Sequence, residues 1–228
     1  AHKDLAHIVV KCKDVYSFHP VWTSSGTGAK AKVSVWAPDT DLRLIKRNTS
    51  VRVCVGHYAH PGYESPAQGG KWFGVFGGRG KYMQLVELTD TEAGAFSGGD
   101  TLGVAKVNYL MPFPALFKKV WSKLGGKQPL HVWRPVPPSD DFLALGMICS
   151  NSDEPPPLTS VRCVPKRWCV PTKAVTKVWE DNGTSGRRGS FWAVGQFQLL
   201  IVTHDHDPPK GLFYDLLHSD RFLASQSA

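Results

Sequence analysis

Short apolar runs separated by glycine and proline recur along the chain, and one phrase among them appears three times. The phrase consists of a tryptophan, a stretch that contains glycine, and a second tryptophan 12 to 14 residues after the first. A strand, a glycine turn and a second strand form a β-hairpin, so each copy predicts a hairpin. Three copies predict an internally repeated, pseudo-threefold β structure. The tryptophan pairs are Trp22 with Trp36, Trp121 with Trp133, and Trp179 with Trp192.

Further apolar runs predict more strands, whereas the prolines at 112–114 and 155–157 exclude helix locally. We therefore predict an all-β fold of three related antiparallel units, β-prism-like, with little helix. A single domain of residues 1–228 would contain units at about 18–110, 111–172 and 173–223, the first with a glycine-rich insertion at 67–106. The predicted strands are 6–10, 33–36, 51–58, 82–88, 130–133, 142–148, 160–164, 190–194 and 198–202.

Composition agrees with a folded β domain. With 42% hydrophobic residues, 8 Trp and 11 Phe in 228 residues, the chain can bury a substantial core. Its 22 Gly and 17 Pro suit many short strands joined by turns. The five cysteines are odd in number and form no CxxC, which favours a reduced, cytoplasmic setting. No signal peptide or membrane span is recognisable, and the missing initial Met suggests an excised piece of a larger protein.

The net charge of +8 allows two interpretations of the protein surface. A basic surface attracts the phosphates of anionic lipid or of nucleic acid. Alternatively, the excess lysine only keeps the domain soluble, since the basic residues are spread along the chain. Nucleic acid is the weaker partner, because no known nucleic-acid motif is present.

The second unit resembles a known module. Trp133-Arg134-Pro135-Val136-Pro137-Pro138, followed by Leu145-Gly146, is similar to the WRPVPPxGYxxLG module of Vps62-type domains and of the adaptor-binding region of Vps13 proteins. Asp140-Asp141-Phe142 replaces the expected glycine-tyrosine pair, and the first unit has Ala37 in place of the arginine. The three-unit count is also loosely similar to the β-prism domain associated with Mvb12. The resemblance implies a non-catalytic module that is recruited to membranes or adaptors.

The repeated residues read as scaffold. A tryptophan on a half-buried strand supplies a large apolar anchor, and an arginine after it can stack on a ring or bridge to a carboxylate. The scaffold residues are Trp22, Trp36, Trp121, Trp133, Arg134, Trp179 and Trp192.

Catalytic signatures are weak. The 204–207 segment reads His-Asp-His-Asp but precedes two prolines, so a solvated turn is favoured over a metal site. Cys54, His57 and His60 lie near one another in sequence, yet nothing marks a group to orient a nucleophile. No GxSxG, P-loop or HExxH occurs. We predict no enzyme activity, no cofactor and no metal.

The insertion contains a candidate membrane contact. Aromatic residues followed by a basic glycine loop suit the headgroup zone of an acidic bilayer. The alternative is that these aromatics pack on the domain and the charges are merely solvated. The candidate residues are Trp72, Phe73, Phe76, Arg79 and Lys81.

Together, the resemblance and the charge lead to a functional expectation. The chain would be a targeting or adaptor-recognition module of a larger Vps13- or Vps62-like protein, cytoplasmic and peripheral on organelle membranes. Its partners would be a protein with an extended peptide motif and acidic phospholipids; the sequence leaves the oligomeric state open. Alternatives are a substrate-binding domain of another large protein, such as a ubiquitin ligase, and a carbohydrate-binding β-prism lectin.

Overall fold

The computed structural model describes residue 5 and residues 7–40, 50–67, 83–91, 101–217 and 221–223. Strands dominate these residues, and all their pairings are antiparallel, which confirms the all-β prediction with little helix. The strands are β1 (Ile8–Asp14), β2 (Phe18–Thr23), β3 (Val33–Pro38), β4 (Ser50–Val53), β5 (Tyr58–Pro61), β6 (Gln84–Asp90), β7 (Leu116–Lys123), β8 (Leu130–Val136), β9 (Phe142–Leu143), β10 (Ile148–Ser150), β11 (Val164–Pro165), β12 (Cys169–Thr172), β13 (Val175–Glu180), β14 (Ser190–Val194), β15 (Leu199–Thr203), β16 (Phe213–Leu216) and β17 (Arg221–Leu223).

Three of the sheets have three strands each and contain the three tryptophan pairs. Their strand orders are β2-β3-β5, β10-β8-β7 and β13-β14-β15. Each hairpin has a register shift just before its first tryptophan, at Trp22, Trp121 and Trp179. A bulge at this point bends the strand and re-aims the side chain that follows. The predicted hairpins are therefore present, and they share one irregularity as well as one sequence phrase.

A ring of backbone hydrogen bonds joins the three sheets where each third strand begins. The N–H of His57 donates to the carbonyl of Met147, Met147 donates to Leu200, and Leu200 donates back to His57, each at 2.9 Å. Gly56 and Gly146 precede two of these residues, and a side chain on Gly56 would come within 2.9 Å of the Gly146 Cα. These cyclic contacts are those that a pseudo-threefold arrangement requires; the β-prism assignment itself stays a prediction.

A four-stranded sheet, of order β17-β1-β6-β4, was not predicted as a unit. β1 pairs with β17 on one side, with Val9 opposite Leu223, and with β6 on the other. Two of its strands agree with predicted runs, since β1 overlaps 6–10 and β6 overlaps 82–88. The sheet brings strands from both extremes of the described chain together beside the repeated hairpins.

Three strand predictions were wrong in detail. The run 51–58 divides into β4 and β5, because the chain leaves the four-stranded sheet after β4 and joins β3 through β5. The run 142–148 likewise divides into β9 and β10, which belong to different sheets. In the run 160–164, only Val164 lies in a strand, β11, and Ser160 instead ends a 3-10 turn, Leu158–Ser160, that follows three prolines with fixed φ.

The helix α1 (Thr101–Leu110) was also not predicted. It overlaps the end of the glycine-rich insertion, where Val107 and Leu110, three residues apart, are both buried. Arg162 fixes its end: the guanidinium donates to Asn108 Oδ1 at 2.6 Å and to the Met111 carbonyl at 2.9 Å. No helix in the described ranges has the length and apolarity that crossing a bilayer requires.

Candidate functional site

The six paired tryptophans are all buried, none more than 7% exposed. The first of each pair donates its indole N–H to a carbonyl near the hairpin turn of the next unit. Trp22 donates to Gln128 at 2.9 Å, Trp121 to Arg188 at 2.8 Å, and Trp179 to Ala31 at 2.9 Å. These bonds run from the first unit to the second, the second to the third, and the third back to the first.

The same three indoles meet in an aromatic core around Phe191. The Phe191 ring lies 5.7 Å from Trp121, 6.2 Å from Trp22 and 4.8 Å from Trp179, between ring centroids. Edge-to-face and tilted pairs at such distances are favourable beyond their burial. These tryptophans therefore join the units and offer no surface to a ligand.

The second tryptophans are bonded within their own sheets. Trp133 donates to Ser150 at 2.9 Å and Trp192 to Thr203 at 3.0 Å, both acceptors on the third strand. The first unit has His60 at this position, and there Trp36 donates to Ser34 at 2.7 Å instead.

Arg134, the remaining scaffold residue, is exposed on β8. It lines a groove of about 550 Å³ at the end of β8 farthest from its hairpin turn. The other wall comes from the 204–214 segment, where Lys210 is exposed and Leu212 is 74% exposed. Ala37 and Ala193 follow the tryptophans of the other two units, so the arginine is specific to the second unit.

At the opposite end of the hairpins, the three turns converge. Lys127 N–H donates to the Ser25 carbonyl at 3.2 Å, and Lys30 N–H donates to the Asn182 carbonyl at 2.9 Å. Gly26 and Gly183, with φ of 79° and 88°, take left-handed turn conformations that favour glycine. The turns therefore form one connected surface.

We call this surface the basic end, and it consists of the turns at 25–32, 124–128 and 182–188. Its cationic side chains are all exposed, and no ion pair joins any of them to a carboxylate within the described residues. Leu124 protrudes from the second turn with 74% of its surface exposed. The cations are Lys30, Lys32, Lys127, Arg187 and Arg188.

A buried polar cluster lies directly beneath the basic end. Lys123, 3% exposed, extends from β7 to Asp181 at 3.4 Å, to the Ser185 carbonyl at 2.7 Å and to Thr184. His206 lies 2.9 Å from the other oxygen of Asp181. Burial acts to raise the pKa of Asp181, but hydrogen bonds from His206, the Gly189 N–H and Lys123 hold it below its ordinary value. The cluster ties the second unit to the third.

The sequence candidates for chemistry serve structural roles. Cys54 donates its thiol to the Gly56 carbonyl, and burial raises the pKa of this thiol to about 12. His57 Nδ1 accepts the Cys149 N–H at 3.1 Å, and burial lowers the pKa of His57 to about 4. Cys54 and His57 are thus each committed to backbone groups and do not form a nucleophile pair.

The metal and membrane candidates have different outcomes. In the described ranges, no three His, Cys, Asp or Glu side chains come close enough to hold a metal ion. The 204–207 segment contributes His206 to the buried cluster instead. The predicted membrane residues Trp72, Phe73, Phe76, Arg79 and Lys81 lie outside the described residues. Sequence reasoning missed the basic end, because its cations come from three distant segments.

Comparison with known proteins gives a likeness of fold. No protein-family model matches the chain, and neither does any curated protein. The crystal structure of GNIP1Aa from Chromobacterium piscinae is similar, with a TM-score of 0.58 and 19% sequence identity over 88% of this chain. The match covers 34% of GNIP1Aa, so this chain spans about a third of that protein. What the two proteins share at this identity is the fold.

Proposed function

We propose that the chain is a non-catalytic targeting module of a larger Vps13- or Vps62-like protein, and that it contacts acidic membranes through the basic end. The observation that carries this proposal is the convergence of five exposed cations from three separate turns, none of which pairs with a carboxylate of the described residues. Each cation near an anionic leaflet contributes about 1 kcal/mol, so five contribute about 5 kcal/mol. This corresponds to a dissociation constant of about 0.2 mM, which suits reversible, peripheral binding.

Among the described residues, the candidate reactive groups have structural roles, whereas the cations of the basic end face solvent, as binding of an external anion requires. Cys54 and His57 are committed to backbone hydrogen bonds, and the paired tryptophans hold the units together. At the basic end, by contrast, no carboxylate of the described residues pairs with a cation, and Lys32 alone lies over an aromatic ring, 5.4 Å from the centroid of Tyr63. Charges that are not used internally can act on an external anion.

Co-sedimentation with liposomes tests the proposal. We expect binding that rises with phosphatidylserine content and falls steeply between low and physiological salt. The variant Lys30→Glu/Lys127→Glu/Arg188→Glu should abolish it. The control Lys166→Glu/Arg167→Glu/Lys173→Glu makes the same change in net charge at exposed positions outside the basic end. We expect this control to bind only slightly more weakly than the native chain. Equal loss in both variants would show that net charge alone, not this surface, drives binding.

A second candidate function is recognition of an extended peptide, and the groove beside Arg134 favours it. Its apolar lining includes Leu143 and Leu145; Arg134 and Lys210 supply two cations, and Asp205 supplies one carboxylate. An extended peptide with a carboxylate side chain would match this combination. Selection from a displayed peptide library, repeated with Arg134→Glu, tests it: acidic sequences selected by the native chain and lost with the variant would support this function.

A further inference from the structure

We propose that Leu124 inserts into an acidic membrane while the groove beside it, lined by Arg187, receives the phosphate of a lipid headgroup. This inference rests on the proposed membrane function and assigns its contact point. Leu124 is the exposed apolar residue at the tip of the second turn. Apolar residues flanked by cations are the arrangement with which peripheral proteins enter the headgroup boundary.

The other two hairpins have a polar residue at the position of Leu124. Counting three residues from the first tryptophan of each unit gives Ser25, Leu124 and Asn182. All three hairpins have the same bulge, but the turn of the second is shorter, with six residues between its strands where the other two have nine. The second hairpin thus differs from the other two both in its shorter turn and in the exposed apolar side chain of Leu124.

The groove beside Leu124 measures about 430 Å³ and lies between the second and third turns. Among the charged residues that line it, Lys119 pairs with Asp153 and Lys123 with Asp181. Arg187 also lines the groove, is exposed, and pairs with no carboxylate within the described ranges. A guanidinium in this state can bind phosphate oxygens in a bidentate manner.

Leu124 and Arg187 are held in a fixed relation by Trp121. Its indole donates to the carbonyl of Arg188 at 2.8 Å and also lies 3.3 Å from the carbonyl of Arg187. Trp121 itself is three residues before Leu124 on the same hairpin. The apolar tip and the cation are therefore preorganised, which lowers the entropic cost of binding.

Paired serine variants of the full chain test the insertion. Leu124→Ser should lower partitioning onto phosphatidylserine vesicles about tenfold, because burial of one leucine side chain is lost. Leu212→Ser is the matched control: Leu212 is equally exposed, at 74%, but lies at the Arg134 groove, and we expect no change. If Leu124→Ser binds as the native chain does, the inference is overturned and the membrane function stands. If the native chain does not bind, the membrane function itself fails.

A fluorescent label reports depth directly. An environment-sensitive dye on Leu124→Cys should shift to the blue on acidic vesicles, and the same dye on Leu212→Cys should not. Labelling of the native chain measures background from its own thiols. Equal shifts at both positions would contradict insertion at the second turn.

Arg187→Glu tests the headgroup contact and the source of the phosphate. It should reduce vesicle binding more than Arg167→Glu, an exposed arginine outside the basic end. Soluble glycerophosphoserine at millimolar concentration should compete weakly, since it lacks the bilayer that Leu124 enters. The proposal would be overturned in favour of a free-phosphate site if inorganic phosphate or glycerophosphoserine abolished vesicle binding and Leu124→Ser bound vesicles as tightly as the native chain.

Discussion

At the level of single residues, the position of Trp121 depends on Gly189. A Cβ added at Gly189 would lie 2.5 Å from the Trp121 ring. The ring cannot move away without losing its hydrogen bond to Arg188 and its contact with Phe191. Because Gly189 has no side chain, the Trp121 ring can pack against it and keep the contact between the second and third units.

Gly189→Ala should therefore lower the free energy of unfolding by about 1–3 kcal/mol, the usual cost of overpacking. Chemical denaturation followed by tryptophan fluorescence measures it. Gly125→Ala is the control, because no atom lies within 4 Å of its added Cβ. Equal stability of the two variants would mean that the Trp121 indole has room that the structure does not show.

Between elements, the buried pair Lys123 and Asp181 joins the second unit to the third. Both residues lie two positions after the first tryptophan of their units, and the first unit has buried Ser24 there. Complementary charges at equivalent positions favour one order of neighbours over the others. We therefore expect this pair to contribute more to the choice of neighbouring unit than to the free energy of unfolding.

We expect Lys123→Met to destabilise the fold by about 3 kcal/mol, because it leaves the buried Asp181 without its ammonium partner. The double variant Lys123→Met/Asp181→Leu should recover much of that loss, since no buried charge then lacks a partner. Thermal denaturation of the single and double variants measures both. If the double variant is less stable than Lys123→Met, the pair stabilises the protein in its own right.

The sequence predicts the hairpins better than the other elements, because the paired strands of a hairpin are close together along the chain. Each hairpin is encoded locally, by a tryptophan, a glycine turn and a second tryptophan. The four-stranded sheet pairs Val9 with Leu223, and no local pattern marks partners so far apart. The helix α1 was missed because its apolar positions stand beside a glycine-rich segment.

The candidate site was predictable only in part. The net charge of +8 left two equal alternatives, an anionic partner and an excess of lysine that only keeps the domain soluble, and the cations of the basic end are scattered over about 160 positions of sequence. Contacts between units bring them to one surface, both the backbone hydrogen bonds between the turns and the cross-unit bonds of Trp22, Trp121 and Trp179. Leu124 carries no signal of its own until its turn is compared with the other two.

At the scale of the whole molecule, the buried imidazole of His57, beside the backbone ring that His57 forms with Met147 and Leu200, makes stability depend on pH. The ordinary pKa of histidine is 6.5, and burial lowers that of His57 to about 4. The unfolded chain therefore takes up a proton between these values and the folded chain does not. Stability present above pH 6.5 is lost as the pH falls toward 4, at up to about 1.4 kcal/mol per pH unit.

His57→Met should make this loss shallower. Met147 occupies the equivalent position in the second unit, and its sulfur accepts the Val202 N–H at 3.4 Å, so methionine can replace the imidazole acceptor. Urea denaturation at half-unit steps from pH 7 to 4 measures the slope. The exposed His204→Gln serves as control and should keep the native slope. An unchanged slope in His57→Met would assign the pH dependence to other groups.

The pairing of β1 with β17 also has a mechanical consequence. Val9 lies opposite Leu223, so the first residues of β1 and the last residue of β17 lie at the same end of one antiparallel ladder. A pulling force between a preceding and a following segment would load these hydrogen bonds one after another, as a zipper, and not all at once in shear. We therefore expect the β1–β17 pairing to open at low tension, before the three tryptophan hairpins do.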